Sequence, residues 1–339
     1  MDHRDTPLLS LLQTALPIER RPFDAMAERL GLAAEEVLAR VGRMVGDGTI
    51  RRIGPIFDSR RLGYVSTLVA ARAPKDRLLA IAEQVNRLPG VTHNYERRGA
   101  YNLWFTLTAR SEAAVGRALT ALADETGLAM HSLPALATYK IRAVFTDSKS
   151  TPPAGTANEA KKTPGVFSPG ERHLESFSPL PPVRLTKRQI ELVRALQDNL
   201  APEREPFKRI ADRAGWTEAE VLRQIEMWLA SGVLRRFGAV AAHRRLGYDA
   251  NGMAVFRVAD ASVDAAGRAL AARAEITHCY RRPPLDDFPF TLYAMIHGRT
   301  EEEVSALASR LAREIGAAEC AVLFSVTEFR KSPMRYFEP

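Results

Sequence analysis

Two short segments carry the residue types that proton chemistry needs. His93-Asn94-Tyr95 and His278-Cys279-Tyr280 each set an imidazole and a phenol two residues apart. In an extended strand, residues i and i+2 share a face, so each pair would converge on one ligand surface. Both groups can hold or donate a proton near neutral pH. A strand histidine is more often a packed core residue, and duplication accounts for part of the recurrence. What favours function is that tyrosine recurs with it. Doubled arginines stand nearby: Arg51-Arg52 and Arg60-Arg61, then Arg235-Arg236 and Arg244-Arg245. Neighbours on a strand point to opposite faces, so one of each pair can turn inward and the other to solvent. Inward guanidinium groups would grip carboxylate or phosphate bidentately. A solvated basic wing touching DNA phosphate would show the same residues, and the pairs alone leave both readings open. Arg97, Arg98, Arg281 and Arg282 follow the His-x-Tyr segments as candidates of the same type.

The elements that must position these groups occur twice. IRRIGPIFDSRRLGY (50–64) recurs as LRRFGAVAAHRRLGY (234–248), an offset of 184, and segments before and after it recur at the same or nearly the same spacing. Two copies of a roughly 150-residue unit imply a covalent pseudo-dimer and not a solenoid. In each copy, three helix-like stretches (8–16, 23–30 and 34–46; 187–198, 207–214 and 218–230) precede a β segment. Read as a two-strand ribbon (Ile50–Ile53, Pro55–Ser59), that segment completes a winged helix-turn-helix. A strand (64–72), a helix (75–87), strands (91–97, 101–108), a helix (111–124) and a last strand (136–146) then give the ferredoxin-like order βαββαβ. The expected fold is thus α+β, a tandem repeat of winged helix-turn-helix and ferredoxin-like domains. The expected boundaries are 1–62, 63–147, a linker at 148–183, 184–246 and 247–339. The linker holds seven of the 21 prolines and no apolar period, as an extended tether would.

Composition narrows the classes. Of 339 residues, 48 are Lys or Arg against 40 acids, for a net charge of +8. Eight are lysine, so arginine dominates, and much of that excess reads as a genome-wide bias. No apolar run approaches the roughly 18 residues needed to span a bilayer. Cys279 and Cys320 cannot form a disulfide framework or, alone, a four-ligand zinc site. MDHRDTPLLSLLQ lacks the apolar core of a secretory signal, and a reducing cytoplasm is expected. His3, His131, His173, His243 and His297 receive no role, His243 standing where the first copy has Ser59.

The whole resembles the leucine-responsive regulator family of the AsnC type, whose helix-turn-helix is matched by LGLAAEEVLARVGRMVGDGTIRR. That resemblance implies an effector-sensing transcription factor. Yet the reading helices offer Glu35, Glu36, Arg40 and Arg43, and Glu218, Glu220, Arg223, Gln224 and Glu226. Acids in the first turn suit the helix dipole and repel phosphate, so DNA binding is not expected. GPIFDSRRLGY, VTHNYERRGAYNLWFTL and TEFRKSPMRYF are more closely similar to the sirohaem decarboxylases, in the form that fuses two related subunits. That resemblance implies removal of two acetate carboxyl groups from sirohaem, giving 12,18-didecarboxysirohaem, in d-type haem or alternative haem biosynthesis. It implies His93, His278, Tyr95 and Tyr280 as catalytic groups, with one histidine an optional axial ligand to the substrate's iron. It also implies Arg51, Arg52, Arg60, Arg61, Arg235, Arg236, Arg244 and Arg245 as holders of carboxylates. Trp104 is the expected aromatic wall, beside Tyr101, Phe105, Phe288, Phe290 and Tyr293. No separate cofactor, no resident metal and no membrane are expected. A second copy of the chain and neighbouring pathway enzymes remain open as partners, and divergence between the copies suggests one composite or dominant site.

Overall fold

A computed structural model describes residues 1–14, 16–141, 145 and 181–338. The linker expectation falls mostly outside the described residues, as do 142–144 and 146 of the expected last strand. The first copy comprises α1 (Asp5–Thr14), α2 (Pro22–Leu30), α3 (Ala34–Gly46), β1 (Ile50–Phe57), β2 (Val65–Ala71), α4 (Leu78–Arg87), β3 (Val91–Arg97), β4 (Leu103–Ala109), α5 (Glu112–Thr126), β5 (His131–Pro134) and β6 (Ala137–Ile141). The second comprises α6 (Lys187–Leu196), α7 (Pro206–Ala214), α8 (Glu218–Ala230), β7 (Leu234–Ala241), a 3₁₀ turn (His243–Leu246), β8 (Ala250–Arg257), α9 (Val263–Ala272), β9 (Ile276–Arg281), β10 (Leu292–Gly298), α10 (Glu301–Glu314) and β11 (Glu319–Lys331). Local chemistry sets the helix ends: α2 and α7 open on Pro22 and Pro206 and close on left-handed Gly31 and Gly215, the arrangement that proline's fixed φ and glycine's freedom favour. Thr217 and Glu220 cap α8 reciprocally.

The wing differs from the expected ribbon. Each copy contributes one unbroken strand, and β1 pairs antiparallel with β7 of the other copy. Gly54 lies opposite its own repeat counterpart, Gly238, so a pseudo-two-fold axis passes between them. The expected turn at Gly54-Pro55 does not form because the strands already have other partners. Phe237 O accepts from Leu16 N (3.0 Å), Ile53 O accepts from Leu200 N (2.8 Å), and Ile53 N donates to Asn199 Oδ1 (2.7 Å). The apolar sides of both helical triplets and both wing strands share one core, with Leu8, Phe23 and Val41 on one side and Leu192, Phe207 and Ile225 on the other. A β-carbon at Gly238 would sit 2.4 Å from Leu12 O, whereas one at Gly54 would meet the flexible Arg52 side chain at 3.2 Å and Asp198 O at an ordinary 3.6 Å. Gly238→Ala should therefore lower stability by about 1–3 kcal/mol as an overpacking change, and Gly54→Ala by much less. Equal melting temperatures for the two variants would contradict this packing.

The nine remaining strands run in the order β5-β2-β4-β3-β11-β8-β10-β9-β6. The expected last strand of copy 1 (136–146) is described as β6, and a short strand not expected from the sequence, β5, precedes it. β5 pairs with β2 of its own copy and β6 with β9 of the other. Likewise β11 pairs first with β8 and then, from Ser325 onward, with β3. Each copy's final segment thus stitches the two sheets along one side, and the order begins and ends on neighbouring stretches of one segment. Helices α4 and α5 cover the outer face of one sheet, α9 and α10 that of the other. The inner faces meet in a third core of Ala70, Trp104 and Leu133 with Val255, Tyr293 and Leu323.

Candidate active site

Strand alternation decides which side chains turn away from the covering helices. On β3, Asn94 is fully buried toward the helices and donates to Ala82 O (3.0 Å). On β9, Cys279 belongs to the helix-covered core. His93, Tyr95 and Arg97, and His278, Tyr280 and Arg282, therefore face inward. The two trios have matching geometry. Imidazole and phenol rings lie 6.3 Å apart in both copies, inclined by 28° and 22°. Thr92 Oγ1 lies 2.9 Å from His93 Nδ1, and Thr277 Oγ1 lies 3.1 Å from His278 Nδ1, which leaves Nε2 of each ring for a ligand. Arg97 Nη1 donates to Leu323 O (2.8 Å), and its guanidinium lies 5.3 Å from the Tyr95 ring. Arg282 donates to Leu133 O and lies 4.8 Å from the Tyr280 ring. Both arginines thereby brace the tyrosines against the stitching strands. Both histidines remain half-buried.

Two histidines given no role from sequence join them. His243, in the 3₁₀ turn, and His297, on β10, have ring centroids 5.0 Å apart, and Phe145 packs 5.0 Å from His297. Two residues of β11 complete the cluster. Lys331 Nζ lies 3.5 Å from His243 Nδ1 and 3.9 Å from Glu328 Oε2. Glu328 Oε2 accepts from Tyr95 Oη (3.3 Å), and Arg51 Nη2 reaches its Oε1 at 3.5 Å. Neither β11 residue stood out in the sequence, because its place beside β3 depends on the crossing of the final strand between copies.

Burial dominates the electrostatics. It pushes His93 down to about 4, reinforced by Lys331. Burial also lowers His278 to about 4, with His93 the next contributor, and His243 to about 4, with Lys331 next. His297 is held well below its ordinary value by burial and then by His243. Lys331 falls to about 8 through burial and Arg51. Tyr95 is raised by burial and Glu328, and Tyr280 by burial. At neutral pH the site without ligand presents neutral imidazoles and protonated phenols.

The doubled arginines divide. Arg51 reaches the cluster through Glu328. Arg235 pairs with Asp58 at 2.8 Å, and Arg60 lies 3.8 Å from the same carboxylate. The charges of Arg235 and Arg60 both act on Tyr280, and that of Arg244 on His243 and Lys331. Their neighbours do not face the cluster. Arg52 donates to Pro55 O (2.8 Å) and Gln197 O (3.4 Å), Arg236 to Gln13 O and Ala239 O, and Arg61 to Pro181 O and Ser231 O. Arg245 acts electrostatically on Asp47, at the end of α3. The strand alternation that turns Arg51 and Arg235 toward the histidines turns Arg52 and Arg236 into the helical domains, where backbone carbonyls and not solvent receive them. Trp104 also departs from expectation: it is 1% exposed, donates Nε1 to Tyr101 O (2.7 Å), and is a core side chain rather than an open wall. Phe105 lies in the helix-covered core. Arg98 and Arg281 turn to Glu301 and Asp260.

Comparison with known proteins agrees with this architecture. The AsnC-like ligand binding domain matches residues 61–140 and 245–330, and the siroheme decarboxylase NirDL-like HTH domain matches 5–51 and 189–235. The siroheme decarboxylase of Hydrogenobacter thermophilus is 33% identical over 330 residues, covering 97% of this chain and 94% of that one. The siroheme decarboxylase NirDL subunit of Paracoccus denitrificans is 36% identical over 336 residues, covering 98% and 96%. The crystal structure of siroheme decarboxylase NirDL in co-complex with an iron-uroporphyrin III analogue superposes with a TM-score of 0.71 at 29% identity, covering 99% of this chain and 95% of that one. With both matched domain types present twice and similarity running nearly end to end, the chain belongs to the siroheme decarboxylase family.

Proposed function

We propose that this chain removes two acetate carboxyl groups from sirohaem, giving 12,18-didecarboxysirohaem for haem biosynthesis, by a non-oxidative carboxy-lyase reaction. The observation that carries the reading is the paired His-Tyr cluster on β3 and β9, with Arg51, Arg60, Arg235 and Arg244 around it, in a chain of this family. Loss of CO₂ breaks the bond between the carboxyl carbon and the methylene, and the electron pair stays on the methylene. The conjugated macrocycle spreads that charge, so the substrate supplies its own electron sink and the reading needs no separate cofactor. A proton then adds to the same carbon and leaves a methyl group. Guanidinium groups hold the carboxylates that remain. His93 and His278 deliver the proton or, as neutral imidazoles, ligate the substrate's iron through Nε2. Tyr95 and Tyr280, kept protonated, assist as donors. Burial of the cluster favours departure of neutral CO₂ over a buried carboxylate. Two free cysteines fit the reducing cytoplasm in which such a reaction would run. Anaerobic incubation with sirohaem and mass analysis should show loss of one and then two CO₂, and an unchanged substrate mass would refute the activity.

The helix-turn-helix units fit a scaffold better than a DNA reader. The N-terminal turn of α3 is tied across the copies by Arg204 to Glu35, and that of α8 by Arg20 to Glu218 at 3.5 Å. Arg40 is turned away from any phosphate by Asp2 (2.6 Å), Asp5 (2.9 Å) and Glu36 (2.8 Å). Duplex DNA should therefore show none of the steep salt dependence of phosphate neutralisation. A log–log salt slope of several units in a titration would revive the regulator reading. Among the described residues, no helix is long and apolar enough to cross a membrane.

A further inference from the structure

The two His-x-Tyr strands match, but the strands laid beside them do not. In the register of β11 on β3, Glu328 lies opposite Tyr95 and Lys331 opposite His93. In the register of β6 on β9, Thr138 lies opposite Tyr280 and Ile141 opposite His278. One half therefore carries a half-buried ammonium and carboxylate where the other carries a hydroxyl and an alkyl chain. Lys331 is poorly served where it stands. Among the described residues its closest carboxylate is Glu328 at 3.9 Å, already shared with Tyr95 and Arg51, and the other polar atom near it is a neutral imidazole nitrogen at 3.5 Å. Arg51 and Arg244 add like charge around it. A desolvated ammonium with so little compensation gains strongly from a carboxylate brought in with the ligand.

We infer that Lys331 is a substrate-binding residue, whose ammonium takes a peripheral carboxylate of the tetrapyrrole on the His93 side and so fixes which way round the macrocycle enters. The inference rests on the proposed sirohaem reading and deepens it. With Ile141 and no described cation opposite His278 at the matching position, the two halves of the cluster are unequal, and the flat ligand has one preferred orientation. The first decarboxylation then yields one positional isomer and not a mixture.

The test titrates the full chain with sirohaem and with a fully esterified iron tetrapyrrole, followed by the Soret band. Lys331→Met should weaken sirohaem binding roughly 10- to 100-fold, the range of a lost charge-assisted contact. It should leave the ester, which offers no carboxylate, bound as by wild type. Lys331→Arg should restore most of the affinity, the loss should fall on KM more than kcat, and Ile141→Thr should behave as wild type. Equal weakening toward both ligands, or no rescue by arginine, overturns the inference in favour of a structural lysine. So does a Lys331→Met protein that binds sirohaem normally. A wild type that binds sirohaem through Lys331 but releases no CO₂ defeats the decarboxylase reading and leaves this one standing. A wild type that turns sirohaem over while Lys331→Met binds it equally well does the reverse.

Discussion

Exchanging His93 and His278 together for alanine should lower the rate of CO₂ release by about 10²- to 10⁴-fold, the span that positioned proton transfer contributes. Both rings are fixed at Nδ1 by a threonine hydroxyl, at 2.9 and 3.1 Å, so each presents Nε2 in a defined direction. The arginines around the cluster are untouched by the exchange, so the double variant should still perturb the Soret band of an added iron tetrapyrrole. Binding retained with turnover lost separates a chemical role from a merely structural one. Tyr95→Phe and Tyr280→Phe remove the donor hydroxyl but keep the ring that Arg97 or Arg282 braces. Their cost should stay within roughly tenfold, as for donors that assist the histidines. A double alanine variant releasing CO₂ at the wild-type rate would remove the imidazoles from the mechanism altogether.

The repeat, the α+β class and the inward direction of both His-x-Tyr pairs were legible because they rest on periodicity, which is a property of the chain's own neighbours. What escaped depends on contacts between copies. Nothing local distinguishes a strand that folds back at Gly54-Pro55 from one that runs straight on and pairs with β7. The choice is made by the hydrogen-bond partners that Leu16, Asn199 and Leu200 provide. Glu328 and Lys331 were invisible as site residues for a related reason. In TEFRKSPMRYF they read as an ordinary charged run, and only the crossing of β11 from β8 to β3 brings them beside Tyr95 and His93. His243 and His297 lie 54 residues apart and meet through a 3₁₀ turn and a sheet edge. The doubled arginines were half readable. Alternation says that neighbours diverge, but not that Arg52 and Arg236 would be taken up by carbonyls of the helical domains.

Lowering the pH from 7 toward 4 should progressively destabilise the ligand-free protein, and a bound polyacidic tetrapyrrole should oppose that loss. His93, His243 and His278 sit near 4 in the folded chain against an ordinary value of 6.5. Between those limits the unfolded chain binds more protons than the native one, so stability rises with pH through the window and falls as the solution is acidified. Three such groups, each keeping part of its ring near water or a neighbour, give a combined effect on the order of 5 kcal/mol at the acid end. Thermal unfolding at pH 7 and pH 5 measures it, and replacing the three histidines should flatten the dependence. The bound state reverses the sign of the local field. Carboxylates beside the imidazoles favour the charged ring and raise its pKa, so binding near pH 6 should draw protons from the buffer. Titration calorimetry in two buffers of different ionisation enthalpy would register that uptake as a difference in apparent heat. The same proton would then lie next to the carbon that requires one once CO₂ has left. Identical heats in both buffers would mean that the imidazoles stay neutral under the ligand, which would assign them to the iron and leave proton delivery to the phenols.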